Sequence, residues 1–225
     1  AIIGVETSYG GNTGNHRVLD ALYTLAFYYP RSGDPAKLER EVRRELFFRD
    51  ELAKLFELAA QEKLDIAALK GSYAGAMGMG QFMPSSYRLW AKDGDGDGRR
   101  DLLTHKPDVF ASIANYFVVH GWQRGGPVVA RAQRDASAAD FKPENWDPVY
   151  PLADLAKRGY TPAPGQPTAE GATLLSLDGE AGMEYWLAYR NFYVITRYNR
   201  SPMYAMAVYQ LSREIAAGAE AAAAP

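Results

Sequence analysis

The chain has 225 residues and a mass of 24.8 kDa, enough for one sizeable domain or two small ones with a packed core. Its net charge of -2 gives no electrostatic reason to expect nucleic acid or an anionic membrane as a partner. Because cysteine is absent, disulfides, thiol catalysis and thiolate metal sites are excluded.

The first part of the chain is predicted to be mainly helical. Apolar residues recur at spacings of three and four in residues 17–29 and 34–64, and Asp34 followed by Pro35 is typical of a capped helix start. The charged run at 37–54 is expected to form a solvated face of the second helix.

Residues 71–83, which we call the Gly-rich segment, break the helical pattern with four glycines. A further helix is expected to begin at Pro84, where a proline suits the first turn. Residues 106–122 again have the spacing of an amphipathic helix, closed by Gly121.

The pattern changes after Trp122. Short β-prone runs lie among prolines and glycines, with a short helix expected at 151–160, and the chain returns to helix from Pro202. The four runs are 127–133, 172–179, 184–189 and 191–199. The fold is therefore predicted to be α+β and mainly α: a helical core at 1–122, a small antiparallel β-rich subdomain at 123–190, and a return to the core at 191–225.

The chain begins inside an apolar run with no capping residue before Ala1, which leads us to expect an upstream segment. Any export signal or lipid anchor would lie in that segment. No apolar run approaches the roughly 18 residues of a membrane-spanning helix, so none is predicted in this chain.

A single acid, Glu6, ends the apolar run of the stretch "IIGVETSYGG" at residues 2–11. If this run is a helix, the carboxylate lies near the negative end of the helix dipole and beside apolar side chains, and both should raise the pKa of Glu6. A carboxylic acid protonated near neutral pH can protonate the leaving oxygen of an acetal. The alternative is an ordinary surface glutamate in the last turn of a helix.

Two other stretches combine neutral polar groups with small or aromatic residues. The Gly-rich segment offers Ser72 and Gln81 between glycines and methionines, a composition that suits a carbohydrate but also a tight turn packed on a neighbouring helix. Tyr198, Asn199 and Tyr204 fall at an expected strand-to-helix junction, where side chains can converge on a cleft.

An acidic loop follows the helix that begins at Pro84. Asp93, Asp95 and Asp97 alternate with glycines, and Gly98 stands at the sixth position, as in the calcium loop of an EF-hand. Position 12 is Thr104, where a bidentate glutamate is usual, so the match is incomplete. The alternative is a solvated acidic turn.

The chain resembles the lytic murein transglycosylase B family. The stretches "IIGVETSYGG", "GSYAGAMGMGQFMPSSY" and "TRYNRSPMYAMAV" are similar to its three signature blocks, in the same order and with a calcium loop between the second and third, over residues 1–215. The resemblance implies a lysozyme-like core and an exported bacterial enzyme, soluble in the periplasm or lipid-anchored to the outer membrane. The implied reaction is cleavage of the β-1,4 bond between MurNAc and GlcNAc in peptidoglycan.

Residue roles follow from the same resemblance. Glu6 matches the single catalytic acid/base; the positions that match groups around the sugar are Ser72, Gln81, Tyr198, Asn199 and Tyr204. The family's calcium loop is lengthened, which implies a structural Ca²⁺ bound over 93–108 by Asp93, Asp95, Asp97, the backbone carbonyl of Arg99, and Asp108. No organic cofactor is implied. The implied partners are glycan strands and other cell-wall enzymes.

The implied chemistry consumes no water, because the muramic acid O6 closes on C1 to give a 1,6-anhydro end. A hydrolase of the usual kind needs a second carboxylate, and none of the three blocks contains one; Asp20 is the nearest downstream acid. Three alternatives stay open on the sequence: a muramidase that uses water, a catalytically silent glycan-binding module, and a calcium-responsive switch.

Overall fold

The computed structural model describes residues 1–223, and it has the mainly helical α+β fold that the sequence predicts. The chain forms two compact units: Ile2–Tyr116, which we call the first unit, and Phe117–Pro225 together with Ala1, which we call the second unit. The division into a core at 1–122, a β-rich subdomain at 123–190 and a return at 191–225 stays a prediction.

The first unit is helical. Its helices are α1 (Ile2–Thr7), α2 (Val18–Phe27), α3 (Leu38–Glu62), α4 (Pro84–Trp90) and α5 (Lys106–Val119), the last of which continues into the second unit. A two-residue antiparallel pair joins β1 (His16–Arg17) to β2 (Lys70–Gly71). α2 and α3 pack on each other, and Leu22, Leu55 and Leu58 between them are fully buried.

The predicted helix starts at 34 and 84 are confirmed. The Asp34 carboxylate accepts a hydrogen bond from the Ala36 backbone N–H at 3.0 Å and caps a 3₁₀ turn at Pro35–Lys37, from which α3 continues. Pro84 opens α4, where its missing N–H would have had no partner inside the helix. The local rules for helix ends therefore fixed both boundaries.

The second unit carries a five-stranded antiparallel sheet in the order β4-β6-β7-β3-β5. The strands are β3 (Val129–Arg134), β4 (Tyr150–Pro151), β5 (Tyr160–Pro162), β6 (Gly171–Gly179) and β7 (Gly182–Ala188), with helix α6 (Leu152–Lys157) between β4 and β5. One face of the sheet buries Leu174 and Leu187 against Leu155 and Tyr160. The predicted antiparallel β-structure is confirmed here. The short strands β4 and β5 were not predicted.

The prediction of a strand at 191–199 is wrong. Residues 191–198 lie in helix α7 (Arg190–Tyr198). Asn199 follows in an extended conformation, and α8 (Pro202–Ala223) comes next. The aromatic and β-branched residues of this run have high strand propensity, but Phe192 and Ile195 are three residues apart on one buried helix face. The Asn191 side chain also fixes the start of α7, because it accepts from the Gln123 N–H at 2.7 Å and donates to the Gln123 and Gly126 carbonyls.

Within residues 1–223, no helix is both long and apolar enough to cross a membrane. The predicted C-terminal helix is confirmed as far as Ala223, and the final two residues of the predicted Ala-rich tail lie outside the described residues.

Candidate active site and acidic loop

Glu6 lies in the last turn of α1, where the sequence predicts it. The buried side chains of Ile2 and Ile3 anchor the helix in the first unit, while the Glu6 side chain is only partly buried. A partly buried carboxyl group keeps access to solvent. This is a placement from which an acid can reach a ligand.

The backbone turns sharply after Glu6. Three consecutive residues have left-handed backbone angles, with φ of 50° at Ser8, 60° at Tyr9 and 92° at Gly10. Such angles are routine for glycine but strained for residues with a Cβ, and this strain is concentrated at functional sites in proteins. We call residues 7–14 the acid turn.

Side chains tie the acid turn to the Gly-rich segment at two points. At its start, Thr7 Oγ1 lies 2.9 Å from the carbonyl oxygen of Met79. At its end, Gln81 Nε2 donates to the carbonyl of Thr13 at 3.1 Å, and also to that of Gly78 at 2.9 Å. These bonds join residues 72 and 68 positions apart in the sequence, so the two segments form one connected structure.

Ser72 and Gln81 both use part of their hydrogen-bonding capacity inside the protein. Ser72 Oγ accepts from the N–H groups of Ala74 at 3.2 Å and Ala76 at 3.0 Å, which fixes a tight turn. Gln81 has a φ of 52°, and its amide nitrogen is engaged as described above. The Ser72 hydroxyl hydrogen and the Gln81 Oε1 are the groups that these bonds leave for a ligand.

The Gly-rich segment also contacts the acidic loop, at Leu102. Met77 and Phe82 exchange two backbone hydrogen bonds, at 2.9 and 3.0 Å, and so form a small hairpin. At the tip of this hairpin the Met79 N–H donates to the Leu102 carbonyl at 3.2 Å. Met79 is therefore held by its N–H on one side and by Thr7 at its carbonyl on the other.

Glu51 is the buried acid of the first unit that the sequence did not reveal. It is 2% exposed on α3, within the run predicted to be solvated, so that prediction is wrong at this position. Its carboxylate accepts from Ser85 N–H at 2.9 Å and from Ser85 Oγ at 2.6 Å, at the start of α4. Burial raises the pKa of Glu51, and the hydrogen bonds from Ser85 oppose that rise.

The acidic loop brings its first three aspartates together. Carboxylate oxygens of Asp93, Asp95 and Asp97 lie within 4.8 Å of one another, and all three residues are exposed. Backbone N–H groups of Gly98 and Gly96 donate to Asp93 at 2.8 and 2.6 Å, and the bond from Gly98 is the main reason that the pKa of Asp93 is lowered. The loop is thus folded around ionised carboxylates.

Asp108 closes the loop from the first turn of α5. It is 1% exposed, and its two oxygens accept from the N–H groups of Gly94 at 2.8 Å and Asp101 at 2.7 Å. Ligand atoms of Asp95, His105 and Asp108 form a second cluster within 4.8 Å, with His105 Nε2 3.1 Å from Asp95. Carboxylate and carbonyl oxygens are the donors that Ca²⁺ prefers, so these residues fit such an ion.

Three further predicted site residues lie together in the second unit, at the connection between α7 and α8. Tyr198 is the last residue of α7, and its ring meets that of Phe117 edge-on with centroids 6.3 Å apart. Asn199 Oδ1 accepts from the Ser201 N–H at 3.0 Å, and Tyr204 follows in the first turn of α8. The junction is helix-to-helix and not strand-to-helix, because residues 191–198 belong to helix α7.

Sequence reasoning missed the structural roles of Thr7 and Glu51. Thr7 stands next to the candidate acid. A hydroxyl residue at a helix end followed three residues later by glycine is a local signal for its bond to Gly10, but its bond to Met79 has no local signal. Glu51 occupies a position in register with the apolar residues Phe48, Leu52 and Leu55, which is the signal that it faces the interior.

This mainly helical fold is that of the lysozyme-like lytic transglycosylases. The chain belongs to the transglycosylase SLT domain family, which it matches over residues 1–213.

Individual relatives agree with this assignment. The chain is 43% identical over 215 residues to membrane-bound lytic murein transglycosylase B of Escherichia coli strain K12, covering 96% of this chain and 55% of that protein. The chain thus spans about half the length of this relative.

Solved structures show the same fold. Soluble lytic transglycosylase SltB1 of Pseudomonas aeruginosa has a TM-score of 0.83 and 44% identity, covering 97% of this chain and 69% of its own. The Escherichia coli lytic transglycosylase Slt35, solved in complex with calcium, has a TM-score of 0.83 and 43% identity, covering 96% and 64%.

Proposed function

We propose that the chain is a peptidoglycan lytic transglycosylase that cleaves the β-1,4 bond between MurNAc and GlcNAc and leaves a 1,6-anhydro-MurNAc end. The observation that carries this proposal is the placement of Glu6, a partly buried carboxyl group at the end of α1, in a chain of the transglycosylase SLT domain family. The relative from Escherichia coli is named for this activity on murein.

Glu6 acts twice in the proposed reaction. As a carboxylic acid it donates its proton to the glycosidic oxygen while the bond between that oxygen and C1 of MurNAc breaks. As a carboxylate it then takes the proton of the MurNAc O6 hydroxyl, and O6 bonds to C1. The atoms balance without water, and the acid is regenerated.

Two other acids of the first unit are engaged elsewhere, which favours this route over hydrolysis. Asp20, the nearest downstream acid, forms an ion pair with Arg17 at 3.4 Å, and the Glu51 carboxylate accepts from Ser85. A hydrolase of the usual kind would need a second carboxylate to act as nucleophile or to activate water.

Neutral polar groups are proposed to bind the sugars. Ser72 would donate through its hydroxyl hydrogen and Gln81 would accept through Oε1, since these groups are left by their internal hydrogen bonds. Tyr198, Asn199 and Tyr204 would contact the sugar at the cleavage point and stabilise the positive charge that develops on its ring.

A structural calcium ion is proposed for the acidic loop. The residues that would hold it are Asp93, Asp95, Asp97, the carbonyl of Arg99, and Asp108. The ion would neutralise the mutual repulsion of these carboxylates and fix the connection between α4 and α5. The calcium complex of Slt35 supports this proposal.

The place of action is proposed to be the periplasm, with the protein soluble or lipid-anchored to the outer membrane. Glycan strands of peptidoglycan would be the substrate, other cell-wall enzymes are proposed as partners, and no organic cofactor is needed by the mechanism. The membrane-bound relative from Escherichia coli supports this location.

The experiment that tests the activity follows the turbidity of purified murein sacculi. Glu6→Gln keeps the size of the side chain but cannot supply a proton, and we expect its rate to fall at least about 100-fold. Glu180→Gln, in the exposed turn between β6 and β7, is the matched control and should clear sacculi at the wild-type rate. Equal clearing by Glu6→Gln would refute the proposal.

A further inference from the structure

We infer that Thr7 is a positioning residue for the proposed acid Glu6, holding the end of α1 through its hydroxyl group. This inference rests on the proposed function of Glu6. Thr7 is the last residue of α1 and is 1% exposed, whereas Ser8 and Tyr9 next to it are exposed. A polar side chain this deeply buried needs hydrogen-bond partners, and Thr7 has three within reach.

The three partners belong to different parts of the site. Thr7 Oγ1 lies 2.9 Å from the Met79 carbonyl oxygen and 3.1 Å from the Ile3 carbonyl oxygen, and it accepts from the Gly10 N–H at 3.0 Å. A hydroxyl group has one hydrogen to donate, which the Met79 and Ile3 carbonyls share. A lone pair of its oxygen accepts the hydrogen bond from the Gly10 N–H. One oxygen atom thus connects α1, the acid turn and the Gly-rich segment.

These contacts stabilise a backbone that the local sequence does not favour. Ser8 and Tyr9 both have left-handed φ angles, and the Tyr9 side chain is 59% exposed, so packing does little to compensate the strain. The strained residues begin two positions after Glu6, and Thr7 is the residue between. Two backbone hydrogen bonds hold this path together with the Thr7 hydroxyl group. The Tyr9 N–H donates to the Ile3 carbonyl at 3.1 Å, and the Asn12 N–H donates to the Thr7 carbonyl at 2.9 Å.

The consequence for catalysis concerns geometry. Glu6 must meet the glycosidic oxygen and then the O6 hydroxyl, and both proton transfers require hydrogen-bond distance. A loss of order in the acid turn moves the carboxyl group relative to a bound glycan, and displacements of about 1 Å can cost about 100-fold in rate. Because Thr7 is buried, we expect it not to contact the sugar, so glycan binding should be little affected.

The test compares isosteric variants on soluble glycan strands released from sacculi by an amidase. Thr7→Val keeps the shape and removes the hydroxyl group; we expect kcat to fall about 10- to 100-fold with KM changed less than about two-fold. Thr7→Ser keeps the hydroxyl group and should retain kcat within about three-fold. Rates are referred to folded protein, measured by circular dichroism well below the melting temperature.

Thr173→Val is the matched control, because Thr173 is also fully buried and donates to a backbone carbonyl, that of Asn145 at 3.3 Å, in the β-sheet of the second unit. It should lose stability but keep kcat. If Thr7→Val does not fold, Thr7→Cys replaces it, since a thiol is a weak donor.

The outcomes separate this inference from the proposed function. Suppose that the wild type releases anhydro ends and Glu6→Gln does not, so that the proposed function holds. A wild-type kcat in Thr7→Val would then overturn the positioning role of Thr7 alone. A low kcat in Thr7→Ser would overturn it as well, because the hydroxyl group is then not what matters. If the wild type released no anhydro ends, both would fall.

Discussion

Gly14 and Gly71 cross so closely that a Cβ atom on Gly14 would overlap the carbonyl oxygen of Gly71 and lie 2.7 Å from the Ser72 nitrogen. Gly14 ends the acid turn, and its φ of +98° is one that residues with side chains rarely adopt. Next to this crossing, His16–Arg17 pairs with Lys70–Gly71 in the β1–β2 ladder. The close approach of these two backbones is what allows the acid turn and the Gly-rich segment to share hydrogen bonds.

Gly14→Ala is therefore expected to destabilise the protein by about 2 to 5 kcal/mol, since backbone strain and overlap with backbone atoms add up. Gly33→Ala is the matched control, because Gly33 has a similar φ of +77° but open space where the Cβ would lie. It should cost only about 1 to 2 kcal/mol. Urea unfolding of the two variants measures the difference, and equal losses would contradict the close crossing.

Calcium is expected to raise the melting temperature by roughly 5 to 10 °C at a concentration about 100 times its dissociation constant. Asp93→Asn should lose most of this gain, because it removes one charge from the cluster of three aspartates. Asp178→Asn, on the exposed β6 strand end, should keep it. A gain that survives in Asp93→Asn would argue against the proposed ligand set.

The raised pKa of Glu51 should make the free energy of unfolding depend on pH. Its pKa is raised above the ordinary value of 4.5 because it is buried. Below that value the group is protonated in both states, and as pH rises the unfolded chain ionises first, so the free energy of unfolding falls until pH passes the folded pKa. This contribution to stability is therefore present below about pH 4.5 and is lost as pH rises through the raised pKa of the folded state.

Glu51→Gln should remove this dependence while keeping an oxygen that can accept from Ser85. The free energy of unfolding, measured by urea titration at about pH 4 and pH 7, should fall less with pH in Glu51→Gln than in the wild type. Glu180→Gln should behave as the wild type. A parallel fall in all three proteins would show that Glu51 ionises as easily when folded as when unfolded.

Local patterns were sufficient for the long helices and for the acidic loop. The apolar spacing in α3, the proline at the start of α4 and the alternation of Asp93, Asp95 and Asp97 with glycine are each contained within a few residues. Features of this kind are set by neighbours in sequence, so a sequence is enough to predict them.

Other features depend on contacts between distant residues, and local patterns could not supply them. Residues 191–198 have strand propensity but lie in α7, because the buried face with Phe192 and Ile195 and the Asn191 contacts to Gln123 favour a helix. The bond from Thr7 to Met79 joins residues 72 positions apart, and no local spacing encodes it. In both places, contacts between residues distant in sequence decide the structure, and at 191–198 they override strand propensity.

The most direct test of the account is the chemical identity of the sugar end that the protein releases from purified sacculi. Mass spectrometry of the released muropeptides should show 1,6-anhydro-MurNAc ends with the wild type and with Glu180→Gln, and none above background with Glu6→Gln. Reducing MurNAc ends, heavier by one water, would contradict the account because water and not O6 would then have attacked C1. Anhydro ends in undiminished yield from Glu6→Gln would contradict it as well.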